Sequence, residues 1–88
     1  MATLLLLKNY NPLILLDTAY SIDEDKYSPP ITIPGETLGE VYNYGQNHLH
    51  RSASVGDLIQ LNNELYLIMP VGYKKITWGD VVNFSPLN

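Results

Sequence analysis

The chain contains no cysteine, which excludes a disulfide framework and any nucleophile or metal site built on a thiolate. Charge is sparse as well. Asp, Glu, Lys and Arg make up 16% of the 88 residues, against roughly a quarter in an ordinary globular chain. The formal net charge is −4, and the five basic residues, Lys8, Lys26, Arg51, Lys74 and Lys75, form no dense run. A general affinity for DNA or RNA rests on phosphate neutralisation, so nucleic acid is the less favoured partner. Gly35, Gly39 and Gly45 are scattered and make neither a Walker sequence nor a dinucleotide fingerprint, so no nucleotide cofactor is expected, nor any other. The continuous leucine run Leu4 to Leu7 ends at Lys8 and Asn9 with no basic segment before it. It lacks the form of a signal peptide and is far too short to cross a bilayer. A cytoplasmic chain without membrane contact is the expectation.

What is present reads as one domain over residues 1–88, because a chain of this length has room for one principal core. The apolar fraction of 45% is that of a folded protein,. Thr3 to Lys8 and Leu13 to Leu16 are short continuous apolar runs separated by Asn9 to Pro12, which favours two strands joined by a turn, a hairpin if they pair. Residues 17–34 are polar and proline-marked and read as a loop or mobile segment. Within it, Ile31 and Ile33 alternating with Thr32 make a short edge strand after Pro29 and Pro30.

Gly35 to Asn47 carries the helical signal. Leu38, Val41 and Tyr42 share one face, and Thr37 with Glu40 has the spacing of a capping box. A helix of about two turns is predicted, with Gly39 costing about 1 kcal/mol of propensity. Further on, Leu58 to Leu61 and Leu65 to Met69 flank Asn62 and Asn63 as a hairpin. Tyr73 to Trp78 is another strand, Gly79-Asp80 a turn, and Val81 to Phe84 a last short strand. The predicted fold class is α+β, a short helix packed on a small, curled, mainly antiparallel β-sheet.

Chemistry is thinly represented. His48 and His50 could face one side of an extended segment as two ligands of a metal ion, but no cysteine completes the set, and a polar loop is the favoured reading. The same histidines with Ser52 or Ser54 and Asp57 can be written as a hydrolytic constellation, although linear proximity supplies no geometry. Arg51 can bind a carboxylate or phosphate, or pair with an acid such as Asp57. No catalytic or metal residue is assigned. Seven tyrosines with Trp78 and Phe84 are the stronger clue, since Tyr and Trp serve cores and interfaces alike.

One block has a familiar form. Leu38-Gly39-Glu40-Val41-Tyr42-Asn43-Tyr44, followed by Arg51-Ser52-Ala53-Ser54-Val55-Gly56-Asp57-Leu58-Ile59, resembles the YodL-like domain of small bacterial plasmid and mobile-element proteins. Leu65-Tyr66-Leu67 and Gly72-Tyr73-Lys74-Lys75-Ile76 continue the similarity, which spans about residues 31–76. The family's tyrosine, aspartate and serine before the glycine are replaced by Leu67-Ile68-Met69-Pro70-Val71. The resemblance implies a mobile-element or phage context and an accessory or anti-defence role, without a reaction. Read from the residues themselves, Asp57 caps the turn of Ser52, Ser54 and Gly56.

The expected function is therefore a protein-binding accessory factor, not an enzyme, with an inhibitor of a host system as the role the resemblance implies. Asp23, Glu24, Asp25, Tyr27, Tyr44, His48, His50, Arg51, Tyr73 and Trp78 are the candidate contact residues. The alternatives are a small nucleic-acid binder using Lys74 and Lys75 and a hydrolase-like enzyme using the histidine loop. Self-association, which can complete a small core, is a further expectation.

Overall fold

A computed structural model describes residues 2–9, 19–48 and 53–84, with the main chain alone at His48. Within them lie β1 (Ala2–Leu5), β2 (Tyr20–Ser21), a one-turn 3₁₀ helix (Glu24–Lys26), β3 (Ile31–Ile33), α1 (Leu38–His48), β4 (Leu58–Leu61), β5 (Glu64–Ile68), β6 (Tyr73–Ile76) and β7 (Val81–Val82). Five strands form an antiparallel sheet in the order β3-β1-β4-β5-β6, and β2 pairs with β7 in a separate two-stranded ribbon. The protein is a small α+β domain with one α-helix among its described residues.

The sheet is open, and the curled sheet expected from the sequence is corrected on this point. β3 and β6 lie at opposite edges, and each ladder keeps a constant register. Bending a sheet takes bulges or glycine kinks within its strands, and the paired positions of these ladders run without interruption or glycine,. The small core is closed by covering both faces of the sheet.

Side chains alternate along each strand and divide the core in two. On one face Ala2, Leu4, Ile33, Ile59, Leu61 and Ile68 pack beneath Val41 of α1, with Leu38, Tyr42, Tyr44 and Tyr66 partly buried around them. On the other, Leu5, Leu58, Leu67 and Ile76 are covered by Ile22, Tyr27, Val82 and Phe84. Leu4, Leu58, Ile59 and Leu67 are fully buried, each contributing about 1.5–3 kcal/mol relative to exposure.

α1 begins as its sequence predicts. Glu40 N–H donates to Thr37 Oγ1 at 3.2 Å, and Thr37 N–H donates to Glu40 Oε1 at 3.1 Å, the reciprocal pair of a capping box,. The helix continues past Tyr44 and Gly45 to His48, 11 residues in all and a turn longer than expected. The β4–β5 hairpin turns on Asn62 (φ 54°) and Asn63 (φ 65°), the left-handed pair that a two-residue type I′ connection requires,.

The N-terminal third departs from the simple reading. β1 is paired on both edges, by β3 through Thr3↔Thr32 and by β4 through Thr3↔Gln60. The expected strand Leu13 to Leu16 and the turn before it lie outside the described residues. From Ala19 onward, the segment expected as a loop holds β2, the 3₁₀ helix and the edge strand β3, and it buries Ile22 and Tyr27 completely or nearly so. It is a covering layer of the core, tied by Ser28 N–H to Leu6 C=O (2.7 Å), Lys8 N–H to Lys26 C=O (2.9 Å) and Ile22 N–H to Asp80 C=O (2.8 Å).

Candidate functional site

The Ser54–Asp57 turn enters β4 from the buried side of the molecule. Asp57 is fully buried. Its Oδ2 accepts Ser54 N–H at 2.8 Å, closing the turn, and its Oδ1 accepts Leu7 N–H at 2.8 Å from the chain beyond β1. Gly56, at φ 97°, donates its N–H to Ile68 C=O at 2.9 Å, while its own C=O accepts Tyr27 O–H at 2.7 Å. Three distant segments are thereby fastened at one turn. Ser54 and Asp57 therefore take the capping arrangement expected of them, whereas Ser52 lies outside the described residues. With both carboxylate oxygens held by main-chain donors, Asp57 acts as a structural clasp.

Tyr27 is the clear correction among the expected contact residues. It is 3% exposed and packs in the core, because its ring is needed to cover the sheet and its hydroxyl finds Gly56 C=O. Burial drives the Tyr27 phenol well above its ordinary value of 10.0, with Tyr20 adding to the shift.

The remaining contact candidates divide among separate places. Asp23 precedes the 3₁₀ helix, accepts Ser21 Oγ–H at 3.0 Å and pairs with Lys26 at 3.3 Å, while Glu24 and Asp25 are exposed. Tyr44 is half-buried on α1, and His48 is the last helical residue. His50 and Arg51 lie outside the described residues. Tyr73 stands on the helix-covered face, its ring 6.4 Å from Tyr42 and its hydroxyl 3.5 Å from Leu38 C=O; burial, then Tyr42, raises its pKa. Trp78, in the turn after β6, lies toward the opposite face, its ring 5.9 Å from that of Tyr27 in the covering layer. Among the described residues, no single patch gathers these candidates.

A different site emerges around Trp78. The Thr77–Asp80 turn is closed by Thr77 N–H to Asp80 Oδ2 (2.9 Å) and Asp80 N–H to Thr77 C=O (3.1 Å), and Gly79 N–H to Ile22 C=O (2.7 Å) anchors it to the covering layer. It presents Trp78 39% exposed, with the ring 5.9 Å from that of Tyr27. Beside it a hollow of about 260 Å³ is lined by Gln60, Asn63, Glu64, Leu65, Lys75, Ile76, Thr77 and Trp78. A neighbouring depression of about 340 Å³ shares Gln60 and Asn63 and reaches Thr3 and Thr32.

The two hollows follow from the register. Thr32, Thr3, Gln60, Leu65 and Ile76 are successive cross-strand partners from β3 to β6 and therefore share one face,. The row one step along, Leu5, Leu58 and Leu67, lies under the covering layer. The Gln60 row lies toward the hairpin end and is open to solvent at Thr32 and Gln60. Gln60 between Ile59 and Leu61 was the legible sign of this open face; the contributions of Asn63, Leu65 and Thr77 required the strand order.

Electrostatics at the margin are local. Lys75 Nζ lies 2.7 Å from Glu64 Oε1, and Tyr66 O–H donates to Glu64 Oε2 at 2.6 Å. The Lys75 hydrogen bond, with help from Tyr66, holds the Glu64 carboxyl below its ordinary 4.5, and the same bond raises Lys75. Lys74 and Lys75 are consecutive in β6 and project from opposite faces, so they do not build one basic path,. Among the described residues there is no group of three or more metal-ligating side chains and no helix long and apolar enough to cross a membrane. Comparison with protein-family models, curated proteins and solved structures gives no match.

Proposed function

We propose that this chain is a small protein-binding accessory factor that holds its partner through the Trp78 hollow. The observation that carries the reading is the pairing of a half-exposed tryptophan, fixed on a hydrogen-bonded turn, with an adjoining apolar recess built by Leu65 and Ile76. Tryptophan is enriched among residues that dominate binding energy, and such residues work when their neighbours exclude water around them. The hollow is shallow and lies below the roughly 300–1,000 Å³ usual for small-molecule sites, which favours an anchoring side chain of a protein over an enclosed ligand. Separation of Lys74 from Lys75, together with the engagement of Lys75 by Glu64, weighs against the nucleic-acid alternative,.

The resemblance to YodL-like domains supports a mobile-element or phage context, with inhibition of a host system as the consequence of binding, and the lack of a signal-peptide pattern around Leu4 to Leu7 supports a cytoplasmic setting,. The test is affinity capture from host extract with the intact protein and Trp78→Ala side by side, followed by reconstitution with the purified partner. A discrete partner bound by the parent and lost from the variant is expected. Equal recovery by both, or no reproducible partner, overturns the reading.

A further inference from the structure

The two edges of the sheet are unlike. β3 is a three-residue strand bracketed by Pro29, Pro30 and Pro34, and proline next to an edge strand limits added pairing. β6 has no such protection, and Tyr73, Lys74 and Lys75 are all exposed.

The hydrogen-bond pattern shows which main-chain groups β6 offers. Ile68 bonds toward β4, donating to Asp57 C=O at 3.0 Å and accepting Gly56 N–H at 2.9 Å. By alternation, Leu65, Leu67 and Met69 bond toward β6, as Met69 N–H to Gly72 C=O at 3.0 Å confirms,. Lys74 and Ile76 therefore face β5, while the N–H and C=O groups of Tyr73 and Lys75 point outward. Thr77, the next outward residue, has both main-chain groups closed by Asp80. No described strand pairs with this outer edge.

Taking the protein-binding reading above as premise, we infer that β6 accepts an extended segment of the partner as a sixth strand, with an acidic and an apolar side chain spaced i, i+2. The alternating side chains of such a strand would stand beside Lys74 and Ile76 on the face that carries Trp78. Lys74 selects a carboxylate there. The position beside Ile76 opens on the hollow bounded by Leu65 and Trp78 and takes an apolar side chain. A second copy of this chain is a poor occupant, because pairing β6 with itself brings lysines against lysines. The edge is thus charged against itself and complementary to an acidic strand.

The test is selection of random peptides of about ten residues against the full chain, followed by titration of the ¹⁵N-labelled protein with the enriched sequences. Enrichment of Asp or Glu two residues from a large apolar residue is expected, with the Tyr73 and Lys75 amides gaining protection from exchange. N-methylation of alternate peptide amides, which leaves the protein unchanged, is expected to weaken binding at least about tenfold, as is Lys74→Glu toward acidic peptides. No enriched family, enrichment without the acid, perturbation away from β6, or insensitivity to N-methylation overturns the inference. A cellular partner lost with Trp78→Ala alongside any of these results leaves the protein-binding reading standing and removes only the β6 strand.

Discussion

Replacing Asp57 with alanine should be the most damaging single change outside the apolar core. The substitution removes the acceptors of Leu7 N–H and Ser54 N–H, both at 2.8 Å, from a fully buried position. A buried main-chain donor left without a partner costs about 1–3 kcal/mol, the upper end applying where water cannot enter. Leu7 N–H belongs near that end; Ser54, half-buried, belongs lower. The sum is about 3–4 kcal/mol, a large share of the roughly 5–15 kcal/mol by which a domain is stable. For a chain of this size it corresponds to a melting temperature lower by about 12–30 °C. Asp57→Asn keeps one oxygen acceptor and should cost about half as much. Urea unfolding followed by Trp78 emission, with a circular-dichroism melt beside it, measures both variants. If Asp57→Ala stays within about 0.5 kcal/mol of the parent, as an ordinary surface change would, the clasp joining the β4 turn to the end of β1 is refuted.

Other perturbations test separate parts of the structure. Thr37→Ala removes the capping box of α1 and should cost about 1 kcal/mol in the same unfolding assay. Asn62→Val forces a β-branched residue to φ 54° and should cost about 1–2 kcal/mol, whereas Asn62→Gly should be close to neutral,. Because the folded-state pKa of Tyr27 is raised above its ordinary 10.0, its contribution is intact below pH 10; above that the unfolded phenol loses its proton first. Stability should then fall by up to about 1.4 kcal/mol per pH unit, and Tyr27→Phe should flatten that alkaline limb. The Glu64 carboxyl should titrate below its ordinary 4.5 by NMR and move upward in Lys75→Met. Its stabilising contribution is present above pH 4.5 and is lost as acid protonates the folded carboxylate.

Local chemistry made the right half of this fold readable. Thr37 and Glu40 mark the start of α1 by their spacing alone, and Asn62-Asn63 between apolar runs marks a two-residue hairpin. The helix exceeds the two turns expected of it, and its further length includes Tyr44, partly buried against the cluster that holds Val41,. β1 was legible as a buried strand, but its neighbours were not: a run of leucines states that both faces are buried without naming the strands beside it, and its partner Gln60 is 57 residues from Thr3. The proline-marked stretch misled for a related reason. Tyr20, Ile22 and Tyr27 recur with no helical or strand period, yet two of them cap the far face of the sheet almost without exposure. Asp57 was readable as the cap of its own turn, and its bond to Leu7 was not, being a contact between distant segments.

The candidate site shows the same division. Trp78 stood out as the single tryptophan, but the strand expected to carry it ends at Ile76 and the residue sits in the turn that follows. The recess beside it needs Leu65 from β5, Ile76 from β6 and Gln60 from β4 in one cross-strand row, which only the sheet order supplies. Low charge and many aromatics suggested a protein-binding role; in the folded chain Trp78 stands beside the hollow at the open end of one face.

Photo-crosslinking inside the host cell tests the central claim most directly. A benzophenone side chain placed at Thr77, on the rim of the Trp78 hollow, should yield one discrete protein adduct on irradiation, while the same group at the exposed Asn43 of α1, on the opposite side of the sheet, should yield none,. Equal labelling from both positions, or no adduct from Thr77, would contradict a partner held at that hollow.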